Sequence, residues 1–262
     1  MEKIHFGLKV WSTNLYYLQA IKELREEGYF DYIELFVEPK STTGHLRMWE
    51  KIRVPYLLHA PHSSTGFNFS FRENEEQNRT LIKKVKVFET ALNARKIIFH
   101  PGADGKLDES IRQINMFKNE FPEIFNKCLI ENKPKIGLRN ENCLGASYDE
   151  IRVIKKETGR GFCFDMSHAM CFAAWAKKEW EKVLVEFLGL KPELYHLCDG
   201  DLNSIYDHHK HFGEGSYDVK RLLSLIPKSS FVSIETKKNS TEHLDDFKED
   251  VNYLRKCLAN GH

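Results

Sequence analysis

Eight short apolar runs recur along the chain, each parted from the next by a stretch of other character, mostly helical in period. They are His5–Trp11, Tyr32–Val37, Tyr56–His59, Lys96–His100, Cys128–Glu131, Gly161–Asp165, Leu194–Leu197 and Phe231–Glu235. Each is near-continuously apolar, as strands of a parallel sheet buried on both faces should be. Helical patterns are expected over Asn14–Glu27, Glu75–Leu92, Ser110–Phe121, Tyr148–Glu157, Ser167–Leu188, Val219–Ile226 and Glu242–Leu258, with a fainter one over Ser41–Lys51. Eight strands alternating with helices in 262 residues predict an α/β fold, a single (β/α)8 TIM barrel spanning residues 1–262. A doubly wound open sheet is the alternative. It would more often carry a Gly-rich phosphate loop after the first strand, and "KVWSTN" has none.

Several function classes find little support. No apolar run approaches the roughly 20 residues of a membrane span. "MEKIHFGLKVW" has no long apolar stretch behind its charges, so neither a signal peptide nor a membrane partner is expected. Lys and Arg (39) balance Asp and Glu (38), which gives no general reason for a nucleic-acid partner and leaves a local basic patch open. The runs Lys83-Lys84-x-Lys86 and Lys177-Lys178 read as solvated helix faces. The six Cys form no CxxC pair, and Cys128, Cys163 and Cys198 fall inside apolar runs, which fits a reduced, cytoplasmic protein. No signal speaks for a particular oligomeric state.

The ends of the runs carry the chemistry. His59, His100, Glu131, Asp165 and Glu235 close five of them, His168 follows Asp165 by three residues, and His196 lies in the seventh run. In a barrel these ends share one mouth, where catalysis sits. The loop "YDHHKHFGEG" adds Asp207, His208, His209 and His211, so that eight of the 12 His lie at strand ends or just after them. Burying so many imidazoles and carboxylates together is costly unless something neutralises them, and divalent cations do so. Taken singly, each has a plainer reading: a hydrogen-bonded loop His, an N-cap at Asp165, mouth salt bridges at Glu131 and Glu235. Their joint placement favours a metal site. Trp11, at the mouth end of the first run, is expected to plug the barrel, with stacking on a sugar or base as the alternative. Trp175 is a weaker stacking candidate.

The motifs "HAPH", "IIFHPG", "LIENKP", "GFCFDMSHA", "YHLCDGD", "DHHKHFGEG" and "SIETK" follow the order seen in endonuclease IV and its relatives. The chain thus resembles that family within the xylose isomerase-like TIM-barrel superfamily over essentially its whole length. The resemblance implies a ligand set position by position. His59 and His100 would bind a first ion, with Glu131 bridging it to a second. Asp165, His196 and Glu235 would complete the second, and His168, Asp207 and His209 would hold a third. Zinc is the expected ion, up to three, with manganese or iron as alternatives. Departures fall among the residues that read DNA in the nuclease. Ala60-Pro61-His62 lacks its tyrosine, Glu38-Pro39 stands where it has an arginine, and Cys198-Asp199-Gly200-Asp201 replaces its usual Asn-Asp followed closely by Lys.

Two chemistries therefore stay open. The first is phosphoester hydrolysis, on abasic-site DNA or a smaller phosphodiester, for which the cations would activate water and offset charge on phosphate oxygens. The second is isomerisation or epimerisation of a sugar or sugar phosphate, with Glu131 and Glu235 as acid and base. Both make Glu131 and Glu235 the catalytic pair. A metal-binding protein without catalysis, or a DNA-binding module, has weaker support.

Overall fold

A computed structural model describes residues 3–259. Eight strands, β1 (His5–Trp11), β2 (Tyr32–Phe36), β3 (Tyr56–His59), β4 (Ile97–Phe99), β5 (Cys128–Glu131), β6 (Gly161–Asp165), β7 (Leu194–Leu197) and β8 (Phe231–Ile234), pair in parallel in chain order. β1 pairs with both β2 and β8, so the sheet closes into a barrel. Around it run α1 (Leu18–Glu26), α2 (Thr43–Trp49), α3 (Glu75–Leu92), α4 (Leu107–Glu120), α5 (Pro122–Phe125), α6 (Tyr148–Thr158), α7 (Met166–Ala176), α8 (Trp180–Leu188), α9 (Val219–Leu225) and α10 (Asp245–Ala259).

Three expectations need correction. The helix expected over Ser167–Leu188 is two, α7 and α8, broken at Lys177, which takes a left-handed backbone conformation (φ 53°). The reason is burial. The first eight residues of α7 are all buried, whereas α8 buries only Val183, Leu184 and Phe187, and one straight helix cannot serve both environments. The stretch Asn14–Glu27 opens as a 3-10 turn at Leu15–Tyr17 before α1. Trp11 does not plug the barrel. It is 53% exposed and stands on the rim of the mouth. The faint helix over Ser41–Lys51 does form, because the Thr42 hydroxyl caps His45 N–H and the His45 ring accepts from Thr42 N–H in return.

Two apolar clusters hold this frame. The larger one lies between barrel and helices. The smaller comprises Tyr32, Leu57, Ile98, Leu129, Cys163 and Leu194, one side chain from each of six neighbouring strands. Side chains alternate across a strand, so the residue two places on points the same way. Two places on from these six stand Glu34, His59, His100, Glu131, Asp165 and His196, all buried. The polar layer is the next storey of the same barrel interior.

Candidate metal centre

All nine expected ligand residues fall within groups whose ligand atoms lie within 4.8 Å of one another, but only His59, His100 and Glu131 group as expected; His168 groups with Glu131 and Asp165, His196 and Glu235 with Glu34, and Asp207 and His209 with Cys198. Glu131 is common to several of them. Its Oε2 lies 3.0 Å from His59 Nε2 and 3.1 Å from His100 Nε2, and its Oε1 lies 3.2 Å from His168 Nδ1. His196 Nδ1 faces Glu235 Oε1 at 2.5 Å, Glu131 Oε2 at 3.6 Å and Asp165 Oδ2 at 3.9 Å. Asp207 Oδ2 stands 3.3 Å from both His168 Nε2 and His209 Nε2.

Backbone and carboxylate acceptors set the imidazoles. His59 Nδ1–H donates to Ala60 O, and His168 Nδ1–H donates to Asn132 O, each at 2.8 Å, so both turn Nε2 inward. His196 Nε2–H donates to Glu34 Oε2 at 2.9 Å, which leaves its Nδ1 bare. Partners of this kind normally stand behind metal-bound histidines. Asp165 also caps α7, its Oδ1 accepting His168 N–H, so the plainer reading and the ligand reading coexist in one side chain.

The loop from β7 to α9 owes its shape to Asp199, not to the histidines. The buried Asp199 carboxylate accepts the backbone N–H of Gly200, Gly213, Gly215 and Tyr217. At Gly215 an added Cβ would fall 2.3 Å from that carboxylate, which is why the Gly-Glu-Gly turn cannot carry a side chain there. His209 itself adopts left-handed backbone geometry (φ 48°), a strain of about 1 kcal/mol or more of the sort concentrated at functional sites. His211, by contrast, points away and donates to Asp250 at 2.9 Å.

The electrostatics signal excess negative charge. Burial, with Glu235, Asp207 and Glu131 close by, pushes Asp165 up to about 6 against the pull of His168. Burial also works to raise Glu131, but His100, His196 and Lys133 outweigh it and hold it well below the usual carboxylate range. Burial works to lower His168, yet Asp165 drives it up to about 10. Among the described residues, His196 Nδ1, Asp207 Oδ2 and His209 Nδ1 are buried atoms without a hydrogen-bond partner. Bare nitrogens and unpaired carboxylate oxygens aimed at one another fit divalent cations.

Four further residues of the mouth, Lys9, Glu34, His62 and Lys133, were not expected as ligands. Lys9 is ion-paired to Glu235 and lies 3.3 Å from Glu34 Oε1. The only sequence signal of Lys9 and Glu34 is a charge inside an apolar strand, at inward parity. His62 stacks on His100 with ring centroids 5.5 Å apart, and Lys133 Nζ lies 3.4 Å from His168 Nε2. All but Glu34 line a cavity of 530 Å³ above the centre, whose outer wall includes Trp11, Tyr16, Phe36 and Asn239.

The sequence pattern described as "Xylose isomerase-like TIM barrel" matches residues 21–257. The chain belongs to that family. Among curated proteins, a "Probable endonuclease 4" of Thermoplasma volcanium is 27% identical over 208 residues, covering 76% of this chain and 72% of that protein. Endonuclease IV from Thermus thermophilus superposes with a TM-score of 0.73 at 17% identity, over 98% of this chain and 100% of that one. A D-tagatose 3-epimerase-like protein does so with a TM-score of 0.73 at 20% identity, over 98% of each. At such identities the structural likeness speaks for the fold. The endonuclease and the epimerase-like protein superpose with the same TM-score. Among the described residues no helix is long and apolar enough to cross a membrane.

Proposed function

We propose that this protein is a divalent-metal-dependent phosphoester hydrolase of the endonuclease IV type. Its metal would be held by His59, His100, Glu131, Asp165, His168, His196, Asp207, His209 and Glu235, with zinc the expected ion. The observation that carries this reading is the ligand surplus: His59 with His100, and Asp207 with His209, extend the centre beyond the four residues that a single ion needs. Bound cations supply acidified water and offset the charge that builds on phosphoryl oxygens. The chain's own groups do the rest. Glu131 turns one oxygen to the His59–His100 pair and the other to His168, so it would tie the centre together. Lys9 holds Glu235 in place, and Lys133 brings an ammonium, largely buried, to the cavity wall, where a phosphate oxygen would meet it. The cavity size suits a small phosphodiester, since ligand sites of about 300–1,000 Å³ take small molecules. The absent DNA-reading residues point the same way, with abasic-site DNA as the larger alternative.

One observation favours the second reading, a sugar or sugar-phosphate isomerase or epimerase. Glu131 and Glu235 approach His196 Nδ1 together, and the aromatic rim of Trp11, Tyr16 and Phe36 would cover a sugar ring. The deciding experiment is metal content per chain by plasma mass spectrometry, followed by assays on small phosphodiesters, abasic-site oligonucleotides and a ketose panel. Two or three zinc with phosphodiester turnover is expected. A single ion with ketose turnover, and none on phosphoesters, would replace hydrolysis by isomerisation.

A further inference from the structure

Cys198 stands one residue past β7 and two past His196, with its side chain 1% exposed. Its Sγ lies 3.5 Å from Asp207 Oδ1 and 3.1 Å from Ser167 Oγ. Cys198 Sγ, an Asp207 oxygen and a His209 nitrogen are all within 4.8 Å of one another. A tetrahedral zinc with Zn–S of about 2.3 Å and Zn–N or Zn–O of about 2.0–2.2 Å sets its ligand atoms roughly 3.3–3.6 Å apart, so small side-chain movements would close this group around an ion. An independent observation points to the same place. Asp207 is 4% exposed, yet its Oδ2 has no hydrogen-bond partner among the described residues.

We propose that Cys198 is a metal ligand, joining Asp207 and His209 around an ion at the β7 end of the mouth. This rests on the metal reading above and adds to it the kind of ion. A thiolate among the ligands favours zinc or cobalt over manganese or magnesium, which take oxygen ligands. The ion would tie the His209 segment to the end of β7.

The alternative thiol is Cys163, which groups with Glu131 and His196. The test is to load the full-length apoprotein with cobalt(II), measure ions bound per chain, and record the near-ultraviolet thiolate-to-cobalt charge-transfer band. Expected are a band in the wild type, its retention in Cys163→Ser, and its loss in Cys198→Ser together with one ion per chain. If Cys198→Ser does not fold, retention in Cys163→Ser still assigns the band, because no other Cys belongs to a ligand group among the described residues. Cobalt bound without the band, or a band lost only in Cys163→Ser, overturns the proposal and leaves the metal reading standing. No cobalt bound at all overturns both.

Discussion

Lys9 illustrates how a single side chain balances this mouth. Its ammonium sits between Glu34 and Glu235, both carboxylates almost fully buried. Burial works to lower it, but Glu235, Glu34 and Glu131 outweigh that and raise it well above its ordinary value, so it remains charged. Removing one partner of such a group leaves an uncompensated buried charge, a loss of about 3–5 kcal/mol. Lys9→Met should therefore destabilise the metal-free protein by that order in urea titrations. It should also gain more from added zinc than the wild type does, because the cation takes over the lost charge. Equal zinc-induced gains in both proteins would mean that Lys9 and the metal do not share the same carboxylates.

Between elements, a surface network joins α3 to α4. Arg112 reaches Glu75 at 2.6 Å and Glu109 at 2.8 Å, and Arg79 reaches Glu120 at 2.8 Å. The hydrogen bonds of Arg112 hold the Glu75 and Glu109 carboxyls below the usual range. A lowered carboxyl value in the folded state adds stability above the unfolded value of about 4.3, and that stability is lost as pH falls through the folded value. Arg112→Ala should thus cost under about 1 kcal/mol at pH 7, since these groups are partly solvated and screened. The deficit should shrink below pH 4 and in high salt. A deficit that persists in acid would trace to packing of the Arg112 stem instead.

For the molecule as a whole, the centre links every strand from β3 to β8 at one end of a closed barrel. An ion bound there stabilises only the folded chain. At a free concentration 100-fold above Kd the gain is about 2.7 kcal/mol per site, which for a barrel of this size corresponds to roughly 5–10 °C in Tm. Calorimetry with zinc and with a chelator should show that gap. Identical Tm values in the two conditions would speak against metal in the mouth.

The sequence by itself determined the barrel and the layer of its ligands. Strand periodicity is local, and a parity of two carries each inward residue from an apolar storey to a polar one, as from Leu129 to Glu131 or from Leu194 to His196. His59, His100, Glu131, Asp165, His196 and Glu235 were legible as candidates because they stand in or at the ends of apolar runs, where a change from apolar to polar is visible in one dimension, whereas Asp207 and His209 stood out from His208 and His211 only through the family resemblance. The rest depended on closure. That Lys9 meets Glu235 requires β1 to pair with β8, 226 positions away, and that Asp199 gathers the loop carrying His209 depends on backbone groups with no side-chain signature. The break at Lys177 and the exposure of Trp11 followed from which neighbours each helix and strand end met. Burial and charge pairing are properties of the packed chain, and only the tertiary structure decided them.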